Sequence, residues 1–236
     1  MRIFALTRKG TEKDQSDDRI LADSTVLCNA EYSAEISSPR IIAVADGIGS
    51  YSGSDRAAQF VCEYMSAYRG DDSLLQSCAE ALLKAAEQNP AERLMGTTFS
   101  AVAFCGDICK ILHIGNTRVY SLCGSYLKPL TKDHTTYQWY LTAGLPEKAE
   151  QCNKSEITYC FGAGSMRYFQ PIVKEISVGS GFVLTSDGIH DHLSPDELER
   201  LIFADGADYS AACRHIADAA VQNGSCDDIS ILIAIM

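Results

Sequence analysis

The stretch IIAVADGIGSYSGS, residues 41–54, decides how the chain is read. It opens with apolar, partly β-branched residues, the pattern of a strand buried on both faces. The run stops at Asp46-Gly47, passes through glycines and serines, and gives way to a helical pattern near Arg56. A carboxylate at the end of a buried strand is costly unless something neutralises it. The arrangement recurs at Phe182-Val183-Leu184-Thr185-Ser186-Asp187-Gly188, and in inverted order at Cys226-Asp227-Asp228 ahead of the apolar run 229–236. For any one Asp-Gly pair, ordinary turn chemistry suffices. Recurrence at Asp46, Asp187 and Asp227 points also to carboxylates converging on divalent cations.

With 236 residues and 46% hydrophobic content, the chain can bury a substantial core. No linker, low-complexity tract or repeat divides it, so one domain spanning 1–236 is expected. The net charge of −11 argues against nucleic acid or an anionic membrane as partner, since both select basic surfaces. The 10 cysteines lie singly, with no C-x-x-C pair. Cys105 and Cys109 flank a Gly106-Asp107 turn but lack the second pair or the histidines that zinc needs. Reduced, mostly buried thiols in an intracellular protein are expected. The opening MRIFALTRKG has too short an apolar run for a signal peptide, and no stretch approaches about 20 apolar residues. A soluble, cytoplasmic protein is the expectation.

Taken in order, residues 2–7 and 19–22 read as strands around a polar segment that holds Lys13, Asp14, Asp17 and Asp18. Apolar residues at helical spacing predict helices over 55–68 and from Ser73 to the Asn89-Pro90 stop. Strands follow over 97–104, 108–114 and 118–122, and the short connections between them favour antiparallel hairpins. Residues 131–164 are mixed and polar, with a helix through Leu141 and the sole tryptophan, Trp139. Strands over 172–178 and 182–185 lead to Ser194-Pro195-Asp196-Glu197, a capping box that starts a helix to about Phe203. A further helix over 209–222 precedes the last strand, apolar throughout and suited to a central position. A sheet-rich core with helix pairs outside follows.

If the strands ending in Asp46, Asp187 and Asp227 are neighbours, their carboxylates meet at one edge of the core. Oxygen donors without His or Cys select Mg²⁺ or Mn²⁺ over zinc. Gly47 and Gly188 permit positive φ and close approach, so that a carbonyl can join the ligands. Two ions about 3.5–4 Å apart can hold a bridging water and activate it for in-line attack on phosphorus, with no Ser or Cys nucleophile.

Seven motifs in register strengthen this reading. They are Gly10-Thr11-Glu12-Lys13-Asp14-Gln15-Ser16-Asp17-Asp18-Arg19-Ile20, Val44-Ala45-Asp46-Gly47-Ile48-Gly49, Gly96-Thr97-Thr98, and His113-Ile114-Gly115-Asn116-Thr117-Arg118. Leu130-Thr131-Lys132-Asp133-His134-Thr135, Ser186-Asp187-Gly188-Ile189 and Asp227-Asp228-Ile229-Ser230 complete the set. Together they resemble the metal-dependent protein serine/threonine phosphatases of type 2C, the PPM family, in particular its compact bacterial members. The resemblance implies a four-layer αββα sandwich, two antiparallel β-sheets flanked by helix pairs. It implies a dinuclear Mn²⁺ or Mg²⁺ centre and phosphorylated protein substrates of a Ser/Thr kinase. Asp46 would bridge both ions with the Gly47 carbonyl beside it, and Asp187 and Asp227 would bind one of them. Asp17 or Asp18 would complete the other shell, with Asp18 at the more characteristic position.

This chain also departs from the family pattern. Lys13 stands where the family has a phosphate-binding Arg and is expected to bind the substrate phosphate, with lower affinity because it keeps the charge without the planar fork. Asn116 replaces an Asp that helps hold a weak third metal, Asp228 replaces an Asn, and Ile48 replaces the His of animal members. These departures keep open a non-catalytic phosphoprotein-binding module as the alternative; a phosphatase of a small metabolite is another. His134 and His113 are expected to be structural, His190 and His192 to be exposed loop residues, and 131–164 to form a variable flap beside the site. A monomer is expected.

Overall fold

The computed structural model describes residues 1–204, 206 and 208–236. Its strands are β1 (Arg2–Arg8), β2 (Arg19–Ala22), β3 (Thr25–Leu27), β4 (Ala30–Glu35), β5 (Ile41–Ala45), β6 (Gly96–Thr97), β7 (Phe99–Cys105), β8 (Ile108–Ile114), β9 (Arg118–Cys123), β10 (Tyr126–Pro129), β11 (Phe161–Gly162), β12 (Ile172–Ser177), β13 (Gly181–Thr185) and β14 (Ile229–Ile235). The α-helices are α1 (Ser54–Met65), α2 (Ser73–Glu87), α3 (Thr136–Thr142), α4 (Pro146–Ala149), α5 (Asp187–His190), α6 (Pro195–Ala204) and α7 (Tyr209–Gln222).

Two six-stranded antiparallel sheets stack face to face, in the orders β10-β9-β13-β14-β1-β4 and β12-β8-β7-β5-β2-β3. Side-chain alternation sorts each central strand into two cores. In β5, Ile41, Ala43 and Ala45 face α1 and α2, while Ile42 and Val44 fill the gap between the sheets. In β14, Ile229, Ile231 and Ile233 face α6 and α7, while Leu232 and Ala234 face the same gap. The expected αββα sandwich is therefore present, with β14 between β13 and β1 as its apolar sequence requires. The capping box is also formed: Ser194 Oγ accepts from the Glu197 N–H at 3.3 Å, and Glu197 Oε2 accepts from the Ser194 N–H at 2.9 Å.

The structure departs from the expected architecture at several points. The strands on either side of Gly115-Asn116-Thr117 form no hairpin, because β8 lies in one sheet and β9 in the other. Gly115 turns the chain at φ +104°, and Thr117 Oγ1 hydrogen-bonds Ser100 Oγ across the gap at 2.7 Å. A three-residue link can thus be a corner between stacked sheets. Next, β3, β4, β10 and β11 have no counterpart among the expected strands. β4 alternates half-buried and exposed residues, which leaves no apolar run to signal it. Finally, Gly47 and Gly188 do not adopt positive φ. They are glycine for close approach. A Cβ on Gly188 would stand 2.0 Å from the Asp228 carbonyl oxygen, and one on Gly47 would stand 2.6 Å from that of Ser54.

Gly188→Ala should therefore cost about 3 kcal/mol in urea unfolding. Gly179→Ala, where a Cβ meets nothing within 4 Å, should stay within about 1 kcal/mol of the parent. Equal effects would show that α5 and the 226–228 segment are not in contact.

Candidate metal centre

Strand direction gathers the predicted carboxylates. β5 and β13 end where β2 and β14 begin, and the registers Arg19↔Ala45 and Thr185↔Ile231 set those ends side by side. Asp18 and Asp46 continue the inter-sheet parity of Ile20 and Val44, so both lie at one mouth of the gap. Asp46 is fixed by its backbone: its N–H donates to Thr98 Oγ1 at 3.0 Å, and its carbonyl accepts from the Thr98 N–H at 2.8 Å. Gly47 forms a bridge with Thr97, and its N–H donates to the Asp17 carbonyl at 3.3 Å. Asp187 opens α5 rather than a simple turn.

The electrostatics of this group are strained. Asp18 is fully buried, and neither carboxylate oxygen has a hydrogen-bond partner. Burial first, then the charge of Asp228, pushes its carboxyl up to about 7; the nearby Ser186 and Ser230 hydroxyls oppose the shift. Burial and the charges of Asp187, Asp18 and Asp227 hold Asp46 well above the carboxylate range. Asp187 is raised to about 6 by burial and by Asp227 and Asp191, against hydrogen bonds from Asp46 and Asn116. Such mutual repulsion is what a bound cation relieves.

The loop 10–18 and the 226–228 segment form the other wall. Asp227 is half-exposed and pairs with Lys13 Nζ at 2.6 Å. Lys13 also lies 3.0 Å from Asp228 and 3.4 Å from Asp17. Burial works against its ammonium, but hydrogen bonds to Asp227 and Asp228 outweigh that and hold it above the usual lysine range. Asp17 takes a hydrogen bond from Ser54 Oγ at 3.0 Å, so it is the second-rank candidate ligand beside partnerless Asp18. Gly10 closes the wall, since a Cβ there would meet the Cys226 carbonyl oxygen at 2.4 Å.

Asn116 donates from Nδ2 to Asp187 Oδ2 at 2.8 Å, and its buried Oδ1 has no partner. His190 is buried, not an exposed loop residue: Nδ1 meets Thr185 Oγ1 at 2.8 Å, and burial holds the ring neutral. The apolar face of a four-residue helix left no periodicity to reveal this. His192 is half-buried. His113 and His134 are packed ring to ring at 4.6 Å and are pushed down to about 4 by burial, as structural residues should be. Asp191 went unnoticed in the sequence; only the i+4 spacing from Asp187 on a short helix places it nearby. The 131–164 region carries α3 and α4 and exposes Trp139, Leu141 and Leu145. A cavity of about 390 Å³ lies between its later part and the 48–51 turn, lined by Ile48, Tyr51, Asn153, Glu156 and Tyr168 among others.

Among the described residues, no three carboxylate, histidine or cysteine side chains already form a closed metal cage. Asp46 and Asp187 engage each other, and Lys13 engages Asp227. The donor chemistry still fits hard divalent ions: all the oxygens are hard, and the orphaned atoms of Asp18 and Asn116 are buried acceptors without donors. The sequence profile described as Protein phosphatase 2C matches residues 28–220. The chain belongs to that family. The match contains Asp46, Asn116 and Asp187, whereas Lys13, Asp18 and Asp227 lie outside it.

Among curated relatives, the serine/threonine protein phosphatase PstP of Mycobacterium tuberculosis is 26% identical over 208 residues, covering 83% of this chain and 40% of PstP. The chain thus spans well under half the length of that relative. The protein phosphatase PhpP of Streptococcus pneumoniae is 32% identical over 123 residues, covering 50% of this chain and 49% of PhpP. In three dimensions, the M. tuberculosis phosphatase PstP/Ppp superposes with a TM-score of 0.82 at 21% identity, covering 100% of this chain and 99% of that one. A PstP catalytic domain crystallised with 2 manganese ions gives 0.77 at 21% identity, again over 100% and 99%.

The raised carboxyls predict a pH dependence. A carboxyl whose pKa rises on folding favours the fold while protonated and withdraws that stability as pH climbs through the folded value. In chelator, stability should therefore fall between the ordinary 3.8 and the folded value of about 7 for Asp18. The rise in Tm produced by Mn²⁺ should be larger at about pH 8 than at about pH 5. The reverse order in a thermal scan contradicts the site.

Proposed function

We propose that the chain is a metal-dependent protein phosphatase acting on phosphoserine and phosphothreonine. The observation that carries the reading is Asp18, buried and partnerless beside Asp46 and Asp187 at the mouth of the inter-sheet gap. In this reading Asp46 would serve both Mn²⁺ or Mg²⁺ ions. Asp187 and Asp227 would hold one of them; the Gly47 carbonyl and Asp18, with Asp17 behind it, would hold the other. The 2 manganese ions of the structurally similar PstP catalytic domain support a dinuclear centre. Bound there, the ions supply Lewis acidity and a water ionised near neutral pH.

The remaining work belongs to the protein. Thr98 and the Gly47 bridge fix the backbone that carries Asp46. Asn116 orients Asp187 through its amide, where the family's Asp would offer a charge to a third ion; any third ion here is therefore held weakly. Ile48 has no titratable group, so the position that is His in animal members offers no general acid here. The cavity beside Ile48 and Tyr51 supports a reading in which the phosphoprotein lies there and the 131–164 flap carries specificity.

The substrates are taken to be products of a Ser/Thr kinase, and the protein to act in the cytoplasm as a monomeric, single domain over 1–236. The free thiols among the described residues support a reducing compartment, and no described helix is long and apolar enough to cross a membrane. The inward pairing of Lys13 favours, as a second reading, a phosphoprotein-binding member with little turnover.

Hydrolysis of a phosphothreonine peptide in millimolar Mn²⁺ separates the two. Asp46→Asn and Asp187→Asn should each lower kcat/KM at least about 100-fold. A parent protein no faster than these variants rules out the enzyme.

A further inference from the structure

Lys13 and Asp228 each depart from the family pattern, and the structure joins them in one ion pair. Asp228 is 1% exposed. Its Oδ1 accepts from the Gly10 N–H at 2.8 Å and its Oδ2 from the Asp17 N–H at 2.7 Å. Those N–H groups stand at the two ends of the loop that carries Lys13. An asparagine has a single acceptor oxygen, so it cannot receive one N–H on each of two oxygens. A carboxylate can, but a buried charge is tolerable only when compensated. Lys13 Nζ, 3.0 Å from Asp228 Oδ2, is the compensating cation, and the same ammonium reaches Asp227 Oδ1 at 2.6 Å.

We propose that Lys13 and Asp228 form one positioning unit: Lys13 is the resident counter-ion of Asp228, pins the 10–18 loop and aims Asp227, and does not grip the substrate phosphate. The two departures are then a matched exchange. The loop gains a two-oxygen clamp, and the cation that would face substrate turns inward to neutralise it. Phosphate must accordingly be held by other groups. The phosphate clause rests on the phosphatase reading; the positioning clause stands without it.

A double-mutant cycle tests the unit. Urea unfolding in chelator is measured for Lys13→Met, Asp228→Asn and the double variant. Lys13→Met leaves a buried carboxylate uncompensated and should lower the midpoint more than Asp228→Asn does. The double variant should recover at least about half of that loss. Smaller recovery, or additive losses, overturns the unit. Calorimetric titration of inorganic phosphate into the Mn²⁺-loaded proteins tests the second clause. Affinity of the double variant should stay within about fivefold of the parent, and a larger loss overturns it. A parent that binds no phosphate and cleaves no phosphopeptide sinks the phosphatase reading, while the unfolding cycle still decides the ion pair.

Discussion

The fold is organised around carboxylates that cannot be comfortable together. Asp18, Asp46 and Asp187 are brought into one desolvated mouth, and each is pushed toward its protonated form by burial and by its neighbours. A protein selected for stability alone would place neutral residues there. The strain persists because six-stranded sheets on both sides, with cores on three levels, over-determine where the strand ends lie. The sandwich serves as a rigid frame for a site that repels itself.

Backbone contact sets the geometry as much as side-chain chemistry does. Gly188 and Gly10 both abut the 226–228 segment closely enough that a Cβ would collide with its carbonyls. Asp227 is therefore carried on a strip clasped between α5 and the 10–18 loop. Asp228 completes the clasp from inside, through the N–H groups of Gly10 and Asp17. A side chain at either glycine would displace this strip, and one at Gly10 would press directly on the backbone of Asp227.

Much of this was legible in the sequence, for identifiable reasons. β5 and β14 are buried on both faces, so they appear as uninterrupted apolar runs. The Ser194 capping box and the faces of α1, α2 and α7 follow local rules that the tertiary structure does not override. The edge strand β4 was hidden because half its residues face water. The 115–117 corner was misread because a link of that length serves a hairpin or a sheet-to-sheet crossing equally, and only long-range packing chooses. The buried state of His190 and the inward turn of Lys13 depend on residues far away in sequence, which no local pattern announces.

The account stands or falls on Asp46. Crystals grown with Mn²⁺ and measured at a wavelength that reveals manganese by anomalous scattering give the direct test. Two peaks are predicted, both touching Asp46, one shared with Asp187 and Asp227 and the other beside the Gly47 carbonyl on the Asp18 side. A peak-free mouth, or manganese bound without contact to Asp46, contradicts it.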